Sequence, residues 1–297
     1  MTYILPASLR EGHASICDSG LADIMNKLLW IAIFTLLFTF PSSTQVSRGS
    51  LVVWIVSRSA DYVVIGAESR AQRPSQSEVD DRSCKLISLG NHTLFYETGI
   101  SEMTVGERKP WSSQGTARHV YASSPKHDAL SLATDWGHHA MQWFSGQPDQ
   151  VLQSSANRVT GNLVTAGFIN FDRDARLSLH TANLAFNDPN RGVQVAGSST
   201  APGHIGVAGM ATELVREFFE GKTERAARAA PVVGPGQVGV NSAEDARLVR
   251  AAIRFAIDHA IGAERLALGG DIDLAILTED GNIRWLARKS WCSREDL

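Results

Sequence analysis

Four short segments in the first third of the chain carry residue types that could do chemistry. They are Gly49-Ser50 before an apolar run, Glu68 with Arg70 after a second run, Lys85 before a third, and Gly99 after a fourth. A serine hydroxyl becomes a good nucleophile only when a base removes its proton. If the chain is cut after Gly49, the new α-amine of Ser50, with a pKa of about 7.7–8.0, can be that base through a water molecule. The alternative is that Ser50 only begins a strand.

The region before Ser50 has the pattern of a leader. Met25-Asn26-Lys27 is a short positive start, the stretch from Leu28 to Phe40 has no charge, and small residues stand three and one positions before Ser50. The uncharged stretch is too short to span a bilayer and suits a signal-peptide core. We expect residues 25–49 to be a signal peptide or propeptide and residues 1–24 to be a doubtful extension. Self-cleavage before Ser50 is an equal alternative to signal peptidase.

Composition narrows the function classes. The chain has 297 residues, is 43% hydrophobic and 20% charged, and has a net charge of −3, which fits a soluble globular protein with a substantial core. No long basic run is interleaved with aromatic residues, so no nucleic-acid partner is expected. We expect the protein to be exported to the periplasm or the extracellular space. Once the leader is removed, no stable membrane span is expected.

The acids and cysteines give weaker signals. The spacing of cysteine and histidine does not match a metal site, and no cofactor is expected. Cys84 and Cys292 are expected to be two unpaired thiols, since pairing requires that folding bring them together. Asp271 and Asp273 share a strand face and are interpreted as marking a strand edge.

The apolar pattern predicts an α+β chain. Two continuous apolar runs, Leu51–Val56 and Tyr62–Ala67, predict strands covered on both faces. Further strands are expected at 85–89, 94–99, 163–171, 177–181 and 193–196, and a final hairpin at 272–286. Helices are expected from the N-cap Asp128 through Phe144, from Gly203 to Glu220, and from Ser242 onward. The polar stretch 101–126 is expected to be a long loop at the substrate rim.

This order of segments resembles a proteasome-type subunit of the N-terminal nucleophile (Ntn) hydrolases. The resemblance rests on Gly49-Ser50, Glu68-Ser69-Arg70-Ala71, Lys85, Thr98-Gly99, Thr165-Ala166-Gly167-Phe168, Gly269-Gly270-Asp271 and Glu279-Asp280-Gly281. It extends over roughly residues 49–286. It implies a four-layer α/β/β/α sandwich of two antiparallel sheets in a domain spanning 50–288, with 289–297 as a tail. It also implies a peptide or small amide substrate and assembly into a homo-oligomeric ring, although an exported relative need not form one.

The resemblance also implies roles for individual residues. The implied set is Ser50 as the nucleophile, Lys85 as the cation that favours its deprotonation, Glu68 as the lysine's partner, Gly99 as the oxyanion donor, Ser198 as a partner of the terminal amine, and Arg70 as a support that holds the loop by ion pairing. The sequence departs from the family by having Ser50 for threonine and Glu68 for aspartate. It also has Arg265 and Leu268 where an aspartate and a serine are usual. Two hypotheses follow: an Ntn hydrolase that cleaves amide bonds, or an inactive scaffold or assembly subunit.

Overall fold

A computed structural model describes residues 44–49, 51–72, 79–80, 83–105, 110–155, 162–185, 192–221, 223–229 and 238–292. In chain order the strands are β1 (Thr44–Gly49), β2 (Leu51–Val56), β3 (Tyr62–Glu68), β4 (Ala71–Gln72), β5 (Val79–Asp80), β6 (Leu86–Leu89), β7 (Thr93–Val105), β8 (Trp111–Ser112), β9 (Asn162–Phe171), β10 (Leu177–Ala185), β11 (Val193–Gly197), β12 (Ile205–Gly209), β13 (Ile272–Thr278) and β14 (Ile283–Ala287). The helices are α1 (Ser113–Ser123), α2 (Ala129–Phe144), α3 (Asp149–Ser155), α4 (Thr212–Glu220), α5 (Glu224–Ala229), α6 (Ser242–His259) and α7 (Gly262–Ala267). Among these described helices, none is long and apolar enough to cross a membrane.

The strands form two antiparallel sheets. The first, sheet A, has the order β11-β10-β9-β7-β1-β4-β5, with β6 and β8 also paired to β7. The second, sheet B, has the order β12-β2-β3-β13-β14. Strands β1 and β2 are separated by one residue and belong to different sheets: Gly49 lies in sheet A and Leu51 in sheet B.

Both predicted apolar strands at the centre of sheet B are covered on two faces, as expected. Every residue of β2 and β3 is buried. Along β2, the side chains of Leu51, Val53 and Ile55 pack with α6 residues, because alternate side chains of a strand point to opposite faces. Those of Val52, Trp54 and Val56 pack against sheet A. This double covering explains why neither strand shows a polar face in the sequence.

The helices lie outside the two sheets. Helix α2 packs against β9, β10 and β11 of sheet A, whereas α6 packs against β2, β3 and β13 of sheet B. Three apolar clusters fill the spaces between successive layers: helices with sheet A, sheet A with sheet B, and sheet B with helices. The predicted α+β fold, a four-layer sandwich of two antiparallel sheets flanked by helices, is confirmed.

Helix α2 also begins where the sequence predicts. Asp128 accepts from the backbone N–H of Ser131 at 2.8 Å, which satisfies one of the free donors at the helix start. For α6 the cap lies one residue earlier than expected: Asn241, not Ser242, accepts from Ala243 at 2.9 Å.

The expected loop at 101–126 is wrong over most of its length. Strand β7 continues to Val105, and over its last residues Glu102 and Thr104 are more exposed than the buried Met103 and Val105 between and after them. Helix α1 then begins after Ser112, whose side chain accepts from the N–H of Gly115 at 3.2 Å. The buried Ala117 and Val120 fix α1 against sheet A. The polar composition concealed a half-buried strand and a helix with a narrow apolar face.

The expected helix at 203–220 is correct only in its second half. Residues Ile205–Gly209 form β12 at the edge of sheet B, in register with β2, and α4 follows from Thr212. A short apolar run does not distinguish a strand from a helix by its pattern. Here the open edge of β2, where Gly206 lies opposite Trp54, decides for the strand.

Candidate active site

The two neighbours of Ser50 are placed by opposite sheets, while Ser50 itself lies outside the described residues. Gly49 ends β1 and is in register with Gly99 of β7. Leu51 begins β2 and is in register with Gly209 of β12. The Gly49–Ser50 bond is therefore bracketed by residues whose backbone partners come from strands distant in sequence.

The carboxylate of Glu68 lies directly beside this junction. Its Oε1 accepts from the backbone N–H of Leu51 at 3.3 Å and from the ammonium of Lys85. Both side chains are completely buried and form an ion pair. The contact expected between Lys85 and Glu68 is therefore present, although glutamate is one methylene longer than aspartate. Because Leu51 is bonded to Ser50, a single carboxylate oxygen links the lysine to the backbone that follows the predicted nucleophile.

The second oxygen of Glu68 organises the adjacent loops. Glu68 Oε2 accepts from the N–H of Arg70 at 2.6 Å and from the N–H of Gly269 at 3.3 Å. A buried carboxylate is tolerated only when donors surround it, and here four donors do so. Because Gly269 lies just before β13 and Arg70 just after β3, the carboxylate also ties two turns at one end of sheet B.

Arg70 supports the site through its main chain. Its N–H donates to Glu68, and its carbonyl oxygen accepts from the ammonium of Lys85. Its guanidinium lies over Gly269, where a Cβ would come 2.4 Å from Arg70 Cζ. Arg70 therefore closes a ring of contacts with Glu68 and Lys85 that fixes the lysine head group.

Burial lowers the pKa of Lys85, and the nearby charge of Glu68 opposes this shift. Lys289 lowers the pKa of Lys85 further by repulsion, while Glu97 raises it. A desolvated lysine held between specific charges is typical of active sites, where an ammonium must influence a neighbouring group without water screening it.

Gly99 has the backbone conformation that only glycine adopts easily. Its φ is +86°, and a Cβ at this position would lie 2.5 Å from the carbonyl oxygen of Leu163. It pairs with Val164 on one side and Gly49 on the other. Gly99 therefore lies at the strand position opposite the predicted cleavage point. The oxyanion function remains a prediction.

The strand order does not bring Ser198 to this group. Ser198 follows β11 at the far edge of sheet A, where its N–H donates to the carbonyl of Leu179 at 2.9 Å. Three strand spacings, about 14 Å in total, separate β11 from β7. The segment that neighbours Leu51 instead follows Gly209 and contains Met210 and Ala211. Neither side chain has a hydroxyl, so neither Met210 nor Ala211 can take the role that was expected of Ser198 as a partner of the terminal amine.

A second buried ion pair, which the sequence pattern did not reveal, lies next to the first. Lys289 Nζ is 2.7 Å from Asp273 Oδ2, and the N–H of Lys289 donates to Asp273 Oδ1 at 2.9 Å. Asp273 lies on β13 between β3 and β14, so the interpretation as a strand edge is wrong. An acid inside an otherwise apolar run, as at Asp273, was the sequence signal that could have pointed to a buried partner.

The expectation of two unpaired thiols is also wrong. Cys84 and Cys292 form a disulfide, with Cα atoms 5.6 Å apart. Their separation of 208 residues left no local pattern from which pairing could be predicted. The bond joins the residue just before Lys85 to the segment that carries Lys289.

Glu97 is a further buried acid near the site. It lies on β7 two residues before Gly99, and its N–H donates to the carbonyl of Lys85 at 3.0 Å. Burial raises the pKa of Glu97 to about 8, although a hydrogen bond from Gln114 at 3.2 Å acts in the opposite direction. Glu97 therefore provides a group that titrates near neutral pH beneath the candidate active site.

Among the residues that the structure describes, no three histidine, cysteine, aspartate or glutamate side chains are grouped to hold a metal ion. The chain matches none of the known protein-family models, and no curated protein matches it.

Proposed function

We propose that this chain is an exported Ntn hydrolase of the proteasome type, which cleaves amide bonds in peptides with Ser50 as its nucleophile. The observation that carries the proposal is the shared oxygen of Glu68, which accepts both from Lys85 and from the N–H that follows Ser50. A buried cation is thereby held within one residue of a serine that could become a chain terminus. Gly99, in register with Gly49, supplies a second element of the proposed site.

The reaction proceeds in two steps once the bond between Gly49 and Ser50 is cut. The α-amine of Ser50, acting through water, takes the hydroxyl proton while Oγ bonds to the substrate carbonyl carbon. The Lys85 ammonium stabilises the negative charge that develops on Oγ as the proton leaves. The N–H of Gly99 donates to the oxyanion. The amide nitrogen leaves with the transferred proton, which gives an ester on Ser50. Water then hydrolyses this ester and restores the hydroxyl.

Strand β1 indicates how a peptide would bind. It pairs antiparallel with β7 on one side and with β4 on the other. Cleavage after Gly49 removes its covalent link to β2. Its departure exposes two strand edges whose free N–H and carbonyl groups suit an extended peptide. We infer that the substrate is a peptide that takes the place of β1, with its scissile carbonyl at the position of Gly49.

Export agrees with the covalent structure. A disulfide persists mainly in oxidising compartments, and Cys84–Cys292 is buried in the described core. Together with the uncharged stretch 28–40, it supports a periplasmic or extracellular location.

The second candidate is an inactive proteasome-like scaffold or assembly subunit. It is favoured by the remote position of Ser198 and by the absence of a hydroxyl at Met210 and Ala211. The departures at Arg265 and Leu268 favour it as well. A scaffold would bind partners through ring assembly, whereas the hydrolase requires only a free Ser50.

The deciding experiment is intact mass measurement of the secreted protein, followed by labelling with a peptide epoxyketone. This reagent closes a ring only with a hydroxyl and an α-amine on the same residue. We expect a chain that starts at Ser50 and gains one label. The Ser50→Ala variant gains none, and an exposed Ser59→Ala variant serves as the matched control. A chain that begins elsewhere, or label gained equally by Ser50→Ala, contradicts the hydrolase. An unlabelled chain that elutes as a ring on size-exclusion chromatography favours the scaffold.

A further inference from the structure

The last described residues of the chain contact the segment that contains Lys85 through hydrogen bonds and a disulfide. We call Arg288, Lys289 and Cys292 the C-terminal clamp. Each member binds a residue close to Lys85 in sequence: Lys289 Nζ donates to the carbonyl of Ser83 at 3.1 Å, Cys292 is disulfide-bonded to Cys84, and Arg288 Nη1 donates to the carbonyl of Leu86 at 2.5 Å. Lys85 is thus held on both sides by one short segment.

The clamp is anchored to sheet B. Lys289 is 4% exposed and pairs with the fully buried Asp273 of β13 through both its ammonium and its N–H. In the sheet register, Ile272 lies opposite Glu68 and Asp273 opposite Ala67, so the two buried acids come from neighbouring positions on paired strands. The clamp therefore connects the segment before β6 in sheet A to the strand next to Glu68 in sheet B.

The two ion pairs also act on each other electrically. Lys289 lowers the pKa of Lys85 by repulsion, and Glu68 raises the pKa of Lys289 by attraction. The titratable groups that act on the Lys85 ammonium are Glu68 from β3, Glu97 from β7 and Lys289 from the clamp. Lys289 is thus a like charge that makes Lys85 easier to deprotonate.

We propose that the C-terminal clamp positions Lys85 for catalysis, with Lys289 as the positioning residue and the Cys84–Cys292 disulfide as a lock that makes activity depend on the redox state. This inference rests on the proposed function and extends it to regulation. A dithiol reductant breaks the S–S bond by transferring two electrons and two protons, which gives two protein thiols and the cyclic disulfide of the reductant. Only non-covalent contacts then hold the clamp, and the head group of Lys85 is placed less accurately.

The test compares the mature wild-type protein before and after reduction by dithiothreitol, with free thiols counted by mass. Misplacing a catalytic group by about 1 Å can cost 10²-fold in rate, so we expect kcat for a peptide amide to fall by about 10-fold to 100-fold with KM little changed. The Cys292→Ser variant should show the same low kcat without reductant. Unchanged kcat in a protein that has gained both thiols overturns the lock.

The role of Lys289 is tested by Lys289→Met combined with Asp273→Asn, which removes both charges of the 2.7 Å pair. Asp273→Asn alone, which also ends the 3.8 Å contact of Asp273 with Arg288, is measured beside it. Removing the positive charge should raise the pKa of Lys85, which is measured in the full chain from the chemical shift of the Lys85 ε-carbon. The alkaline limb of the pH profile of kcat should move to higher pH as well. Lys289→Arg should retain the wild-type profile, and Arg284→Met, an exposed cation on β14, is the matched control. An unchanged pKa of Lys85 overturns the positioning role.

Failure of the proposed function gives a different result. A chain that never reacts with the epoxyketone has no rate to measure, yet the ε-carbon shift of Lys85 still reports on the clamp. If that shift changes on reduction in an unreactive chain, the clamp positions Lys85 in a scaffold, and the claim that it serves catalysis is refuted. If the shift does not change, the clamp itself is refuted.

Discussion

Replacing Glu68 by glutamine tests the electrostatic centre of this structure most directly. Glu68 is fully buried, and each of its oxygens accepts from two donors: Oε1 from Lys85 and Leu51, and Oε2 from Arg70 and Gly269. Glutamine keeps the shape but offers only one oxygen. Whichever way the amide turns, its NH₂ group faces two donors, and the Lys85 ammonium loses its counter-charge.

The cost follows from the burial of the pair. Removing one partner of a buried ion pair typically lowers the free energy of unfolding by about 3–5 kcal/mol, because the other charge stays buried and uncompensated. In a domain of this size, about 1 kcal/mol changes Tm by roughly 2–4 °C, so Glu68→Gln should lower Tm by roughly 6 °C or more. Adding Lys85→Met removes the stranded charge. The double variant should therefore be destabilised by less than the sum of the two single variants.

Urea unfolding of the oxidised protein at pH 7, followed by circular dichroism, measures these differences. Glu213→Gln is the matched control, since its ion pair with Arg216 is exposed and should contribute less than about 1 kcal/mol. The reasoning is refuted if Glu68→Gln unfolds within about 1 kcal/mol of the control. It is also refuted if the losses of the single variants simply add, since the pair would then have no coupling energy.

Two further predictions concern β7. Because burial raises the pKa of Glu97 from 4.5 to about 8, the folded chain keeps a proton that the unfolded chain releases, and this group's contribution to stability is lost as pH rises from about 4.5 to 8. The free energy of unfolding of Glu97→Gln, measured in urea, should therefore rise relative to that of the wild type by about 1 kcal/mol per pH unit across that window. Parallel pH profiles for the two proteins would contradict the raised pKa of Glu97. Gly99→Ala should cost about 1–3 kcal/mol, because φ is +86° and the new Cβ meets the carbonyl of Leu163. Gly192→Ala, with nothing within 4 Å, is its control, and equal Tm values for the two would show that β7 adjusts freely at Gly99.

Much of the fold was predictable because its signals are local. The uninterrupted apolar runs of β2 and β3 required cover on both faces, and such cover needs a layered architecture. The N-cap at Asp128 located α2 for the same reason, since capping involves residues three positions apart. Where local signals were ambiguous, the predictions failed: β12 was expected as helix until the open edge of β2 selected a strand.

The candidate site residues were likewise predicted in part correctly and in part not. Family resemblance singled out Glu68, Lys85 and Gly99, and the fold places all three around the junction of β1 and β2. Ser198 was matched by a short motif alone, and it follows β11, an edge strand of sheet A that β10 and β9 separate from β7. A motif of two residues specifies a local conformation, whereas proximity to the site depends on which strands pair.

From the residue pattern alone we could predict the α+β class, the doubly covered strands β2 and β3 and the N-cap of α2. Tertiary structure alone decided that Asp273 and Lys289 form a second buried ion pair and that Cys84 and Cys292 are joined. The physical reason is distance along the chain. Apolar periodicity and capping involve neighbours a few residues apart, but a disulfide across 208 residues depends on strand order and register that no local pattern encodes.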